Sequence, residues 1–359
     1  MNCRFCNTPL AHVFIDLVNS PASNSFLEAR QLNEPEVFYP LKVFTCHKCF
    51  LVQVDEYKKS GDIFDSHYVY FSSYSTSWLE HAKRYTELMT ERFKLNERSQ
   101  VIEIASNDGY LLQYFVKKNI PVLGIEPTLN TAEAARQKGV NTLVEFFGVS
   151  LAERLVKEGT RADLLLGNNV LAHVPDIVDF VKGMKVILKP AGVITMEFPH
   201  LLQLVNNSQF DTIYHEHFSY LSFYTVQQIF SAQGLELFDV DELSTHGGSL
   251  RIYAKHKEDT TKNISVNVQT VLQKEINAGI NKLEYYANFT RQADKVKIGL
   301  LSFLIEQKVN GKKSPAMGPQ LKGTRCLIIA ESRMTLLILS WMRIRQSRIN
   351  FCRQVIYRW

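Results

Sequence analysis

The stretch Ser99–Pro127, SQVIEIASNDGYLLQYFVKKNIPVLGIEP, decides the fold. Its pattern predicts a strand over the first apolar run, a turn around Gly109, an amphipathic helix and a second strand that ends at Glu126. A glycine lets the backbone pass close to a ligand, and an acid after the second strand can accept both hydroxyls of a ribose. The unit predicts a nucleoside ligand; the alternative is an ordinary βαβ unit whose acids cap helices and contact water.

The turn lacks the G-x-G-x-x-G fingerprint, so it offers no glycine-lined cradle for a pyrophosphate, and NAD or FAD is disfavoured. The segment E-x-A-S-N-D-G followed by an acid instead resembles the first two motifs of S-adenosylmethionine (SAM) dependent methyltransferases. This resemblance implies that Glu103 and Asp108 lie near the methionine end of SAM and that Glu126 contacts the ribose. The predicted cofactor contacts in this stretch are Glu103, Ala105, Asn107, Asp108, Gly109 and Glu126.

Helix and strand patterns continue to alternate after Glu126, through ADLLLG at 162–167 and KPAGVITMEFP at 189–199. This alternation predicts an α/β fold with a mostly parallel sheet that is covered on both faces. Ligands lie beyond the carboxyl ends of such strands, so Asn168 is predicted beside Glu126 at one crevice and joins the cofactor contacts.

Four of the six cysteines form two C-x-x-C pairs, Cys3 with Cys6 and Cys46 with Cys49. Four thiolates are the ligand set of a closed tetrahedral zinc site, and a reducing compartment favours zinc over disulfides. We therefore predict a structural Zn²⁺ in a small amino-terminal domain, with no open position for an activated water.

The composition, 45% apolar and 21% charged over 359 residues, is typical of a soluble globular protein. No apolar run approaches the ~20 residues that span a bilayer, and the start MNCRFC is no signal peptide, so we predict a cytoplasmic protein. Most of the net charge of +5 lies in residues 314–359, which hold eight Lys or Arg and one acid. The slightly acidic remainder predicts no nucleic-acid partner, and the lack of a long apolar run predicts no membrane partner. We expect a monomer or a small homo-oligomer.

The segment 213-IYHEHFSYLSF-223 concentrates histidine, glutamate and tyrosine directly after the core strands. A metal pair is disfavoured because the helical spacing of H-E-x-x-H is missing. Acid and base chemistry is the preferred interpretation, since histidine titrates near neutrality and a nearby carboxylate can orient it. The alternative is a solvated histidine-rich loop.

Other candidate residues are less specific. Arg251 begins a strand after a glycine-rich turn, which suits a phosphate contact, although a hairpin with a solvated arginine fits equally well. Tyr68 and Tyr70 could face a sugar or could be half-buried packing residues. His173 follows a strand end at the crevice and could cap, pack or take part in chemistry.

Together, the cysteine pairs and the segments YVYFSSYS, IEIASNDGYLL, GIEPT, NNVLAHV, YHEHFSY and HGGSLR resemble the nucleotide-sugar C-methyltransferases of deoxysugar biosynthesis. The resemblance covers about residues 1–313. It implies a zinc-binding domain, a Rossmann-like SAM domain and a carboxyl-terminal domain that helps to hold the nucleotide sugar. It also implies that His217 is the general base that removes a proton beside a 4-keto group. The residues implied around the sugar are Tyr214, Glu216, His173 and Tyr68, to which we add Tyr70, His246 and Arg251 as substrate contacts.

We predict a zinc-binding domain at 1–75, a methyltransferase domain at 76–255, a helical linker at 256–313 that begins a truncated carboxyl-terminal domain, and an out-of-frame tail at 314–359. The tail begins SPAMGPQLKG. Permitted codons for it, read one base earlier, give VAGYGAAAKG and then NTLLNYCGIKND, which look like the missing domain. We hypothesise a frame change near codon 313, in the gene or in its reading, which resequencing the DNA would test. An intact frame would instead make the tail a basic interaction segment.

Three competing functions remain open from the sequence. The chain could methylate another acceptor, such as RNA or a small hydroxyl compound. It could be a catalytically impaired remnant that binds SAM without turnover. It could also bind nucleic acid through a zinc ribbon, which a salt-dependent interaction with DNA or RNA would reveal.

Overall fold

Two β-sheets organise the molecule, one of seven strands and one of four. The computed structural model describes residues 1–23, 27, 29–64 and 70–311. Two predictions lie outside these residues, namely the sugar contact of Tyr68 and the out-of-frame tail.

The described strands are β1 (His12–Ser20), β2 (Tyr39–Thr45), β3 (Val52–Val54), β4 (Val101–Ile104), β5 (Val122–Ile125), β6 (Thr142–Leu143), β7 (Ala162–Asn168), β8 (Leu188–Pro199), β9 (Ser219–Tyr220), β10 (Leu235–Leu243) and β11 (Ser249–His256). The described α-helices are α1 (Ser60–Ile63), α2 (Thr76–Arg92), α3 (Leu112–Val116), α4 (Leu129–Gln137), α5 (Val149–Lys157), α6 (Ile177–Ile187), α7 (Leu201–Asn206), α8 (Phe223–Ala232), α9 (Val266–Ala278), α10 (Leu283–Ala287) and α11 (Phe289–Val309).

The large sheet has the order β10-β11-β8-β7-β4-β5-β6, in which β4 to β8 run parallel and β11 runs antiparallel to both neighbours. Helices α2, α3 and α4 contribute to the apolar core on one face, and α5, α6 and α8 contribute to the core on the other. Burial on both faces explains the continuous apolar runs of β4 and β7. The predicted Rossmann-like α/β fold is confirmed, with two antiparallel strands at one edge.

Two elements show how the ends of this sheet are built. Helix α2 begins where the Ser75 hydroxyl accepts a hydrogen bond from the Trp78 backbone amide. Strand β6 has only two residues and is an edge strand paired with β5 alone.

The small sheet has the order β1-β2-β3-β9 and joins distant parts of the chain. Its last strand, β9, follows His217 and pairs antiparallel with β3, with Val52 opposite Tyr220 and Gln53 opposite Ser219. The sheet therefore combines strands from both sides of the domain boundary predicted at residue 75.

The segment predicted as a helical linker forms α9, α10 and α11. Its last two helices return to the amino-terminal sheet, where Phe14 of β1 stacks on Phe289 with ring centroids 4.5 Å apart. The Thr290 hydroxyl donates to the Phe14 carbonyl at 3.2 Å. Across residues 1–311 as far as they are described, no helix combines the length and apolar character needed to cross a membrane.

Candidate active site

The loop after β4 is shaped for close approach of a ligand. Ala105, Asn107 and Gly109 all have left-handed backbone conformations, with φ of 56°, 48° and 71°. Such conformations are uncommon for residues other than glycine and concentrate at functional sites. The loop therefore adopts a conformation that its local sequence does not favour.

Buried polar atoms without partners surround this loop. Oδ1 of Asp108 and the Ser106 hydroxyl are buried and find no hydrogen-bond partner within the described part of the chain. The Glu103 carboxyl is fully buried, and the Tyr110 hydroxyl is the hydrogen-bonding group beside it. Burial raises the pKa of Glu103 well above its usual value. Because orphaned carboxylates are costly, these atoms indicate a bound group with a positive charge or hydrogen-bond donors. The alternative in which these acids contact water is wrong for Glu103, which is fully buried.

Glu126 is fixed in place at the end of β5. One carboxylate oxygen accepts from the Asn107 backbone amide at 2.9 Å, and the other accepts from the Thr128 amide at 2.9 Å and from the Thr128 hydroxyl. Burial raises the pKa of Glu126, and these hydrogen bonds oppose that shift. Its orientation is thus set by backbone groups of the same crevice.

The side chain of Asn107 holds a neighbouring segment rather than extending freely. Its amide oxygen accepts from the Ser72 backbone amide at 2.8 Å, and its amide nitrogen donates to the Tyr70 carbonyl at 3.1 Å. Lys138 reinforces this contact by donating to Asp108 at 2.9 Å and to the Ser73 hydroxyl at 2.6 Å. The structure therefore places the backbone of Tyr70 beside the loop after β4 (residues 105–109).

Asn168 and Asn169 lie at the carboxyl end of β7. The Asn168 amide donates to the Tyr110 hydroxyl at 3.3 Å, and the Asn169 amide donates to Nε2 of His246 at 2.9 Å. His246 also meets the edge of the Trp78 ring at 5.3 Å between centroids. These contacts place Asn168 and His246 at the carboxyl ends of the strands, where the loop after β4 also lies.

His173 and His217 come together from two separate loops. Their rings meet edge to face with centroids 4.7 Å apart, and the Tyr214 ring lies 3.9 Å from the His217 ring. Nδ1 of His217 lies 3.0 Å from the Thr212 carbonyl oxygen. A carbonyl can only accept, so Nδ1 carries a proton, and in the neutral form of the ring the lone pair lies on Nε2. This is the tautomer that a general base requires.

Burial lowers the pKa of His173 to about 4, although the Glu216 backbone carbonyl opposes that shift. His173 is consequently a neutral imidazole near pH 7. The sequence analysis expected a nearby carboxylate to orient the base. At Nδ1 of His217 the hydrogen-bond acceptor is the Thr212 carbonyl, and a role for a carboxylate stays a prediction. Glu216 itself is buried.

The two histidines of the H-x-H motif face different surroundings. Nε2 of His215 donates to the Pro40 carbonyl at 3.1 Å, and its ring meets the rings of Tyr39 and Tyr57 edge to face. His215 therefore packs against the amino-terminal module, whereas His217 faces His173. Only one of the pair belongs to the candidate site.

Arg251 belongs to a buried cluster that the sequence analysis missed. It lies opposite Glu197 across β11 and β8, and its guanidinium contacts that carboxylate at 2.8 Å. Oε2 of Glu197 also lies 2.9 Å from Nε2 of His81, and Oε1 accepts a hydrogen bond from the Thr245 hydroxyl at 3.0 Å. Burial opposes ionisation of Glu197, but His81 and Arg251 hold its pKa below the usual value.

The solvated-arginine alternative is wrong, because Arg251 is only 4% exposed. Its guanidinium also lies over the Tyr85 ring, 4.8 Å from the centroid. The phosphate contact stays a prediction that this buried ion pair does not support. No signal in the local sequence identified Glu197, because it is a single acid inside an apolar strand.

The four cysteines of the two C-x-x-C pairs, called knuckles below, lie together as predicted. Their sulfur atoms all lie within 4.8 Å of one another, with Cys3 and Cys49 3.5 Å apart and Cys6 and Cys46 3.4 Å apart. A tetrahedral zinc site with Zn–S bonds of about 2.3 Å places its sulfurs roughly 3.8 Å apart. These four thiols therefore fit Zn²⁺, and they are the only group of potential metal ligands of this kind among the residues that the structure describes.

Three family models match the chain in succession. One described as "Putative zinc binding domain" matches residues 3–64, one described as "Methyltransferase domain" matches 78–240, and one described as "C-methyltransferase C-terminal domain" matches 244–341. The third match continues beyond Lys313, where the sequence analysis places a frame change. That frame change stays a prediction.

The chain is also similar to individual proteins. The C-methyltransferase NovU of Streptomyces niveus is 29% identical over 325 residues, which are 90% of this chain and 77% of NovU. The ubiquinone biosynthesis O-methyltransferase of Bartonella bacilliformis is 24% identical over 95 residues, 26% of this chain and 38% of that enzyme. Magnesium protoporphyrin IX methyltransferase of Synechocystis, solved with bound SAH, is 13% identical with a TM-score of 0.40, over 49% of this chain and 82% of that one.

Proposed function

We propose that this chain is a SAM-dependent C-methyltransferase that methylates a carbon of a nucleotide-linked 4-keto-deoxysugar, with His217 as the general base. The observation that carries this proposal is the tautomer of His217, whose Nδ1 is held by the Thr212 carbonyl at 3.0 Å. Its contact with His173 supports the same assignment.

The cofactor side of the crevice fits SAM. Glu126 would hold the ribose hydroxyls, and the buried Glu103 carboxyl and Oδ1 of Asp108 would receive the ammonium group of the methionine end. When bound, SAM supplies an electrophilic methyl group and leaves as S-adenosylhomocysteine (SAH). Asn168 and Asn107 would complete the walls of this site.

A carbon acceptor needs a base because an unactivated sugar carbon does not attack a methyl sulfonium. Nε2 of His217 would take the proton from the carbon beside the ketone, and the electrons of that C–H bond would move to the ketone oxygen as an enolate. The enolate carbon is then nucleophilic, and the transfer itself needs mainly in-line positioning. The proton stays on His217 until the product leaves.

The enolate oxygen would be stabilised by hydrogen-bond donors around His217. His173 is suited to this role because its lowered pKa of about 4 keeps it neutral, so it can donate without adding a positive charge beside the base. The Tyr214 hydroxyl and Glu216 complete the proposed surroundings of the sugar, with Tyr70 and His246 nearer the cofactor loop.

Zn²⁺ would be bound by Cys3, Cys6, Cys46 and Cys49. Four thiolates leave no open position, so its role is structural rather than hydrolytic. Thiolate ligands require a reducing environment, which supports the proposed cytoplasmic location.

The test compares two histidines of one motif. His217→Asn keeps a donor where Nδ1 was but removes Nε2, so we expect methylation to be lost while SAH binding by calorimetry is retained. His215→Gln keeps a donor where Nε2 meets Pro40 and should retain activity. Both variants are assayed in this chain and in a version with the reading frame restored after Lys313. Near-normal turnover by His217→Asn would overturn the base assignment.

A further inference from the structure

The amino-terminal cysteine knuckle reaches both histidine loops of the candidate site. Arg4 lies between Cys3 and Cys6, and its two terminal nitrogens donate to carbonyls on different segments. One bond, of 2.8 Å, goes to Pro175, two residues after His173.

The second branch of Arg4 reaches the strand pair beside His217. Nη2 donates to the Val54 carbonyl at 2.6 Å, and the Val54 amide in turn donates to the Phe218 carbonyl at 3.1 Å. The guanidinium also lies over the Phe218 ring, 5.4 Å from its centroid. Phe218 directly follows His217, so one guanidinium spans the supports of both histidines.

Gln53 connects this arrangement to the sulfur atoms. Its amide nitrogen donates to Sγ of Cys3 at 3.2 Å, and its amide oxygen accepts from the Arg4 backbone amide at 2.9 Å. Gln53 is fully buried and lies opposite Ser219 in the pairing of β3 with β9. Partners of metal ligands of this kind fix ligand orientation and are themselves fixed by it.

We propose that Arg4 is a positioning residue that makes the spacing of His173 and His217 depend on metal occupancy of the four-cysteine site. Metal binding would fix the positions of the cysteine sulfurs and therefore of Arg4 and Gln53 beside them. Arg4 in turn positions Pro175 through its hydrogen bond, and Gln53 lies opposite Ser219 of β9. A planar guanidinium suits this role because its fork can bridge two carbonyls, which a lysine ammonium cannot do in the same geometry. The proposal rests on the proposed zinc site and predicts a function for it beyond stability of the amino-terminal module.

The primary experiment observes the histidines directly by NMR of their imidazole carbons. The chain has ten histidines, and the signals of His173 and His217 are assigned from His173→Gln and His217→Asn variants. In Arg4→Met with zinc content equal to wild type, we expect both signals to shift while that of His246 stays in place. Removal of zinc from the wild-type protein should shift these two signals together with those of the amino-terminal sheet, while that of His246 stays in place.

Lys48 provides a matched control, because it lies between Cys46 and Cys49 of the other knuckle and is exposed. Lys48→Met should leave all histidine signals unchanged. In turnover assays of an active form, Arg4→Met should lower kcat about tenfold or more, because small misplacements of a base are costly, while the affinity for SAH is unchanged. If Arg4 only stabilised the fold, its substitution would lower the melting temperature without selectively shifting the NMR signals of His173 and His217.

The results separate failure of this proposal from failure of the zinc assignment. Absence of zinc from the purified wild-type protein would contradict the metal site itself. Full zinc content with unshifted His173 and His217 signals in Arg4→Met would overturn the coupling. If Arg4→Met does not fold, Arg4→Lys takes its place: it keeps the charge but not the fork, so shifted signals would support the proposal and unshifted signals would overturn it.

Discussion

The two sides of the crevice are built in different ways. The proposed cofactor side comes from one continuous stretch, in which β4, its loop and β5 supply Glu103, Asp108 and Glu126. The proposed acceptor side is assembled from remote segments, because His173 and His217 lie on separate loops that both contact Arg4 of the amino-terminal module. The first side can therefore form with the methyltransferase sheet alone, whereas the second depends on the cysteine module.

Loss of a zinc ligand should separate the two sides most strongly, because it should abolish methylation without affecting SAH binding. Cys46→Ser removes one thiolate of the closed site, and since structural zinc contributes folding energy, we expect loss of zinc and of the four-stranded sheet. Methylation should disappear while SAH binding persists. Zinc analysis, circular dichroism and calorimetry measure these effects, and the exposed neighbour His47→Gln is the control. Equal loss of SAH binding would contradict the independence of the two sides.

Arg251→Met tests whether that residue contacts the substrate or stabilises the fold. Removing one partner of a buried ion pair strands Glu197, so the free energy of unfolding should fall by about 3–5 kcal/mol in urea denaturation. The exposed Arg154→Met should change little. A stable Arg251→Met variant with only weakened nucleotide-sugar binding would instead restore the phosphate contact that the sequence predicted.

The pH dependence of stability should report on His173. Its pKa is lowered from 6.5 to about 4 by burial, so the folded state disfavours the proton that the unfolded state binds. Stability is complete above pH 6.5 and is lost as pH falls toward 4, by up to about 3 kcal/mol. His173→Gln should remove this part of the profile in denaturation at several pH values, and His47→Gln should keep it. An unchanged profile in His173→Gln would contradict the buried neutral state.

Glu126→Gln should affect the cofactor side alone. Loss of a charged acceptor for the ribose hydroxyls costs about 1.5–3 kcal/mol, so SAH affinity should fall roughly 10- to 100-fold. Calorimetry measures this change, with the exposed Glu133→Gln on α4 as the control. Zinc content and the His217 signal should stay as in wild type. Unchanged SAH affinity would remove Glu126 from the cofactor site.

Most of the fold could be predicted because its signals are local, and the proposed cofactor residues rest on the same kind of signal. The alternation of apolar runs and the turn before Gly109 lie within a few residues of the atoms they position. The acceptor side depends on contacts that no local pattern encodes. Arg4 bonds a carbonyl 171 residues away, and β9 is a strand of only two residues whose pairing with β3 exists through the tertiary fold.

The same reason explains the errors. Arg251 looked like a ligand contact because the turn before it was visible in sequence, whereas its partner Glu197 lies 54 residues away on another strand. The Thr212 carbonyl that accepts the hydrogen bond of His217 Nδ1 was not predicted, since any backbone carbonyl can accept such a bond and none has a sequence signature.

The most direct measurement of the central claim is hydrogen exchange at the acceptor carbon without methyl transfer. The protein, saturated with SAH, is mixed in D₂O with a thymidine-linked 4-keto-deoxysugar, and deuterium at the carbon beside the ketone is followed by NMR. We predict exchange with wild type and His215→Gln, and none above background with His217→Asn. Equal exchange by His217→Asn would contradict the assignment of His217 as the base.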